Sequence, residues 1–263
     1  MKGITSILGM VLCFVAIFGG IVILGGNLGD FLNIPSFLMV IIPTIGSMLA
    51  SFPLQVLAKV PSHFKIIMGK EHNPKDYIEQ IVLLAQKARR EGLLALENEQ
   101  VDDTIMQYAL RMLVDGREEA DIRASLDESL NGIKERHLEA VSVYEKAGAF
   151  APAYGMCGTV VSLINMLMAL DFSDPSAINK LGANMSAALI TTLYGTMLAN
   201  IIFLPLAGKL KVFHKKEMFC KTMICNGILA LHSGVNPQNI RDYLVEQLDT
   251  EAKGLFEGIG GGN

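Results

Sequence analysis

Four apolar runs separated by polar stretches set the pattern of this chain. The runs are Ile4 to about Gly25, Ile34 to about Leu57, Phe150 to about Leu170 and Ala183 to about Leu206. At ~1.5 Å per helical residue, each is long enough to cross a hydrocarbon core of ~30 Å. Hydropathy therefore predicts four membrane-spanning helices in two hairpins. Pro43 and Pro53 interrupt the second run, and each removes a backbone donor and predicts a kink.

Pro61 to Lys146 is polar with helical periodicity. Pro74 suits the first turn of a helix carrying Tyr77, Ile81, Leu84 and Ala88, which Gly92 ends or kinks. A second helix is expected over Leu93 to Val114, stopping at Gly116. A third starts near Glu118 with Ile122, Leu126, Leu130, Ile133, Val141 and Tyr144 close to a 3.5-residue repeat. It runs on toward Pro152, so this region is expected to be continuous with the third span. A further amphipathic helix, Ile240 to Leu248, follows Asn236-Pro237, and the glycine-rich end from Gly258 is expected to be loose.

The predicted class is thus all-α: a polytopic membrane protein with four transmembrane helices and a large helical loop between helices 2 and 3. The domains expected are a first hairpin (1–58), a loop region (59–146), a second hairpin (147–207) and a tail (208–263). No internal repeat and no cleavable signal is read. Charged residues make up 18%, against about 25% in an ordinary soluble domain, which agrees with this class. Of the 22 Lys and Arg residues, only Lys180 lies in either short interhelical link. The positive-inside rule then places both termini and the large loop in the cytoplasm. A net charge of −4 offers nothing to nucleic acid. Cys13, Cys157, Cys220 and Cys225 form no metal-binding or disulfide pattern, and Cys157 reads as a small packing residue. No acid, His or Cys cluster points to an enzyme.

Small residues mark the second hairpin. Gly155, Gly158, Thr159 and Ser162 share one side of the third span; Ala188, Thr192, Gly195 and Ala199 form a row on the fourth, with Thr191 one position round. Such rows suit close helix packing or a wet seam, and both readings stay open. Between Phe150 and Leu170, and between Ala183 and Leu206, there is no Asp, Glu, Lys, Arg or His. An ion path through these helices would need its titrating carboxylate from another chain. Asn165 and Asn200 are expected to make interhelical hydrogen bonds.

The span order resembles the MotA/PomA family of flagellar stator subunits. The resemblance rests on Ala88 to Glu97 (Ala-Arg-Arg-Glu-Gly-Leu-Leu-Ala-Leu-Glu), Val114-Asp115-Gly116, Ala151-Pro152 with Gly155-Met156-Cys157-Gly158-Thr159, Thr191-Thr192-Leu193-Tyr194-Gly195, and Leu204-Pro205-Leu206 before Ala207-Gly208-Lys209-Leu210. It covers nearly the whole chain. It implies a channel for H+ or Na+ in the bacterial cytoplasmic (inner) membrane, with no cofactor and no bound metal. It also implies five copies around two copies of a MotB/PomB-type partner that brings the ion-binding Asp. Ion flow would then turn the ring and drive the rotor protein FliG, in flagellum-dependent motility and chemotaxis.

On this resemblance Thr159, Thr192, Ser162, Gly155, Gly158, Ala188 and Gly195 line the ion pathway. Pro152 and Pro205 are the coupling prolines between loop and membrane. Arg89 and Glu97 fall on rotor-contact positions, with Arg90 and Glu99 beside them. Asn98 and Gln100 stand where relatives can carry further acids. The two threonines match hydroxyls of sodium-type members, while Ser162 replaces a glycine common to both kinds, so the ion stays open. An ExbB/TolQ-type energiser normally has three spans, one fewer than this chain's pattern; a membrane scaffold without transport is the other alternative.

Overall fold

The computed structural model describes residues 4–63, 72–170, 177–248 and 253, and every ordered element among them is helical. The helices are α1 (Ile4–Ile23), α2 (Ile34–Ser51), α3 (Leu54–Leu57), α4 (Pro74–Glu91), α5 (Thr104–Val114), α6 (Glu119–Met168), α7 (Ala177–Met197), α8 (Leu204–His232) and α9 (Pro237–Glu246). A π-helical stretch, Leu198–Phe203, joins α7 to α8. The chain divides into two compact units, residues 1–70 with 137–212 and residues 71–136 with 213–263.

The first unit holds the apolar helices. With 20 residues, α1 is about 30 Å long, the thickness of a bilayer core. It presents large apolar side chains outward, among them Leu8, Leu12 and Val15. In water that surface would be untenable; in lipid it is the expected exterior. Asn33 caps α2 by accepting from the Ser36 amide at 3.0 Å. Pro43 is accommodated inside α2, whereas the helix ends before Pro53.

The fourth apolar run does not stop at Pro205. Leu204 donates its amide to the Ala199 carbonyl, an i−5 bond, and α8 then continues to His232. Pro205 brings no amide of its own, so the widened turn before it and the first turn of α8 absorb the missing donor. The continuity expected between the loop region and the third span is seen in α6, one 50-residue helix that contains Pro152.

The second unit packs α4, α5, α9 and parts of α6 and α8 around Ile78, Ile81, Met106, Leu113, Ile122, Met223, Ile224 and Ile240. The single helix expected over Leu93 to Val114 is two elements. A 3-10 turn, Leu93–Leu96, is followed by a loop, and α5 begins only at Thr104. The reason is Asp103, whose carboxylate accepts from the Ile105 and Met106 amides at 2.9 and 3.1 Å and starts a new helix. Gly92, at φ +86°, ends α4. Gly116, at φ +67°, closes α5 in a Schellman motif, with Arg117 N–H bonded to the Met112 carbonyl at 3.2 Å.

Candidate functional site: a hydroxyl-lined seam between α6 and α7

The seam exists because glycine lets two backbones touch. A Cβ on Gly195 would lie 2.6 Å from the Ala151 carbonyl oxygen and 3.1 Å from Gly155 Cα. One on Gly155 would lie 3.3 Å from the Thr191 carbonyl. At Gly158 it would meet Thr191 Cγ2 at 2.3 Å. Small residues at these positions are thus required by approach of the helices, the packing mode of membrane helices that lack a hydrophobic drive between them. Thr191 fills the space beside Gly158, buried, with its hydroxyl donating to the Ala187 carbonyl at 2.6 Å.

Above this contact the Thr159 and Thr192 hydroxyls hydrogen-bond each other across the seam. Thr159 Oγ1 also lies 3.1 Å from the Gly155 carbonyl and 3.2 Å from the Ala188 carbonyl. Thr192 Oγ1 reaches the Gly155 carbonyl at 3.5 Å. Four oxygens, two hydroxyl and two carbonyl, therefore gather at one place. Hydroxyl and carbonyl oxygens are ligands for hard cations, and none of the four carries a proton that titrates near neutrality. Ser162 lies half-buried one turn further along α6, and Ala188 is buried on α7. All seven residues expected along the pathway thus sit on α6 and α7, and the two threonines among them meet directly.

Gly155, Gly158 and Gly195 allow the close helix approach, and Thr159 and Thr192 hold the oxygen cluster beside it. Other expectations need correction. Asn200 is exposed and donates to the Thr196 carbonyl of its own helical turn at 2.9 Å, with no bond to another helix among the described residues of this chain. Asn165 and Cys157 are exposed rather than packed.

Two tyrosines carry the bonds expected of asparagine. Tyr154 on α6 meets Ser47 on α2 at 2.5 Å, and Tyr194 on α7 donates to the Phe31 carbonyl while accepting from the Asn33 amide at 3.1 Å. Ser36 on α2 donates to the Ala187 carbonyl at 3.2 Å. A tyrosine hydroxyl inside an apolar run needs a partner, and that need was the available signal.

The two prolines lie beside one contact. A Cβ on Gly148, one turn before Pro152, would meet Leu204 Cδ2 at 2.8 Å, and Leu204 precedes Pro205. The turn whose carbonyl Pro152 leaves without its usual donor therefore rests on the first turn of α8.

In the second unit Arg89, Arg90 and Glu97 are exposed, and Arg89 and Arg90 line a polar hollow with Asn236 and Gln238. Glu99 differs. Its carboxylate accepts from Lys87 Nζ at 2.6 Å, and this hydrogen bond holds the Lys87 pKa above its usual value. Glu97 lines a separate hollow with Arg111 and Asp115. The four rotor-contact candidates thus divide into a basic end of α4, one exposed acid, and one acid already engaged.

Comparison with known proteins places this geometry. The model of the MotA/TolQ/ExbB proton channel family matches residues 97–223, and that of the motility protein A N-terminal region matches residues 7–92. The chain belongs to the MotA/PomA family. It is 38% identical over 242 residues to a Bacillus subtilis (strain 168) protein called YtxD, covering 91% of this chain and 86% of that one. It is also 38% identical to the chemotaxis protein PomA of Vibrio alginolyticus over 234 residues, covering 89% and 90% of the two chains. The fold matches a chain of the flagellar MotAB stator complex from Bacillus subtilis with a TM-score of 0.86 at 32% identity, covering 96% and 98%. The family is one of ion-channel subunits rather than enzymes, and among the described residues three helices long and apolar enough to cross a membrane, with the shorter apolar α1, mark a membrane protein.

Proposed function

We propose that this chain is the MotA-type subunit of a flagellar stator, and that its α6–α7 seam is one wall of the ion path. The observation that carries this reading is the Thr159–Thr192 contact, a four-oxygen cluster in two spans without an ionisable side chain. Such a wall can strip and steer an ion but cannot bind and release a proton. A MotB/PomB-type partner supplies the carboxylate that does so, and several copies of this chain, a pentamer in the family's pattern, surround a partner dimer. The assembly lies in the inner membrane with both termini and the large loop cytoplasmic, an orientation that the lysine and arginine distribution supports.

The ion is H+ or Na+. The oxygen cluster favours Na+, because a desolvated alkali cation takes hydroxyl and carbonyl oxygens, whereas a proton travels on the partner carboxylate and water. Arg89, Arg90 and Glu97 contact the charged face of FliG, and Pro152 and Pro205 carry motion between the spans and that contact. Charges at such an interface steer encounter without locking it, which suits repeated engagement.

The test is co-expression of this chain with its partner in a strain lacking stators. The proposal expects restored swimming, impaired or altered in its ion preference in Thr159→Ala/Thr192→Ala while the complex still co-purifies. A scaffold without transport predicts that the double variant swims normally.

A further inference from the structure

A cleft in the first unit lies away from the seam, between α1 on one side and α2, α7 and the π-helical stretch on the other. It has a volume of about 470 Å³, within the ~300–1,000 Å³ range of small-molecule sites. Its walls are two aromatic pairs. Phe14 and Phe18 of α1 stack with centroids 6.1 Å apart, and Phe37 and Tyr194 meet edge-on at 5.8 Å. Leu198 and Ile202, both in the π-helical stretch, form its far end.

The cleft has almost nothing to offer a polar ligand. The Tyr194 hydroxyl is spent on Phe31 and Asn33, and the Asn33 side-chain oxygen caps α2. At the mouth stand Leu32 and Ile34, 80% and 72% exposed. They are continuous with the outward apolar surface of α1, which in a membrane protein is the face toward lipid. A void of this size within hydrocarbon forfeits dispersion contacts on every wall, so it is filled by whatever the surroundings supply.

We propose that this cleft is a binding site for one acyl chain of a bilayer phospholipid, and that the chain packs directly on the π-helical turn ahead of Pro205. The occupant follows from the apolar walls, the two aromatic pairs that line them and the exposed apolar residues at the mouth. Bound there, the chain holds α1 against Leu198 and Ile202. Lipid composition would thereby act on the segment that leads into the Pro205 junction. The binding step does not depend on the stator reading, and lipid contact is measured without reference to motility.

The chain contains no tryptophan, so one can be placed as a reporter. Phe18→Trp reports the cleft, and Leu12→Trp, at a residue 67% exposed, reports the open face of α1. Each variant is reconstituted as the full complex with its partner in vesicles of phosphatidylcholine brominated on the acyl chain. The signal of the complex without the reporter is subtracted. Both reporters should be quenched, and adding Leu198→Phe, which fills the far end, should cut quenching at Phe18→Trp by about half while sparing Leu12→Trp. An unquenched Phe18→Trp beside a quenched Leu12→Trp would show the cleft covered by protein, such as a second copy of the chain, and would overturn the proposal. So would quenching that Leu198→Phe leaves unchanged. Native mass spectrometry of the unsubstituted complex guards against misfolded variants: at least one phospholipid per copy should survive detergent exchange, and none would refute the site.

Discussion

A methyl group on Gly195 would sit 2.6 Å from the carbonyl oxygen of Ala151, the residue before Pro152. Two helices that bring the threonines together are held apart by no side chain at this crossing. Replacing Gly195 by Ala must separate α6 from α7, and overpacking of this kind costs about 1–3 kcal/mol. Gly195→Ala should therefore lower the thermal stability of the detergent-solubilised complex. Gly208→Ala, where a Cβ meets nothing within 4 Å, should leave it unchanged or slightly raised.

The second unit contains a buried ion pair. Lys221 Nζ lies 3.2 Å from Asp103 Oδ2, with side-chain exposures of 7% and 6%. The same carboxylate caps α5, so it cannot turn away to another cation without uncapping the helix. Lys221→Met should destabilise this unit strongly, by ~3–5 kcal/mol as for other broken buried pairs. Adding Asp103→Asn, which keeps a capping oxygen but removes the stranded charge, should recover much of the loss in chemical denaturation.

His63 supplies a pH dependence. Burial chiefly, and then the nearby Lys59 charge, hold its pKa below the usual 6.5. Its Nδ1 lies 3.4 Å from the Tyr144 hydroxyl. Because the folded state disfavours the imidazolium, the stabilising contact is complete above the ordinary histidine range and is lost as pH falls through it. Hydrogen exchange at the Ser62 and His63 amides, which bond the Lys59 carbonyl at 2.9 and 3.3 Å, should rise relative to the intrinsic exchange rate at each pH as pH is lowered below about 6. In His63→Gln that rise should disappear.

For the rotor contact, the structure separates two acids that look alike in sequence. Glu97 is exposed, while Glu99 is tied to Lys87. Charge reversal of Glu97 or of Arg89 should weaken torque with membrane insertion intact, and opposite reversals on the rotor should restore part of it. Glu99→Gln should have a smaller effect on torque, matched by Lys87→Met. Full torque in the double reversal of Arg89 and Glu97 would remove both from the contact.

The helical class and the four apolar runs were legible because hydropathy and a 3.5-residue repeat are strong one-dimensional signals. Ile122, Leu126, Leu130, Ile133, Val141 and Tyr144 are all buried as that repeat implied. Thr159 and Thr192 were legible as a hydroxyl row on each helix, but their meeting depends on a register set by Gly155 and Gly195. The start of α5 was missed because Asp103 reads as one acid in a polar stretch until its two capping bonds and Lys221 are seen. The π-helical stretch was not legible because only backbone bonding shows that a wider turn carries the helix past Pro205. Asn200 was misread because a helix can satisfy an amide on its own carbonyls as readily as a neighbour can.

The central claim is that the Thr159–Thr192 seam carries the ion while the titrating group belongs to the partner. Swimming speed of cells carrying this chain and its partner, with sodium varied at fixed proton-motive force, tests it most directly. Unsubstituted cells should speed up with sodium, and Thr159→Ala/Thr192→Ala should flatten or shift that dependence while the complex still assembles. An unchanged speed curve in the double variant would contradict the account.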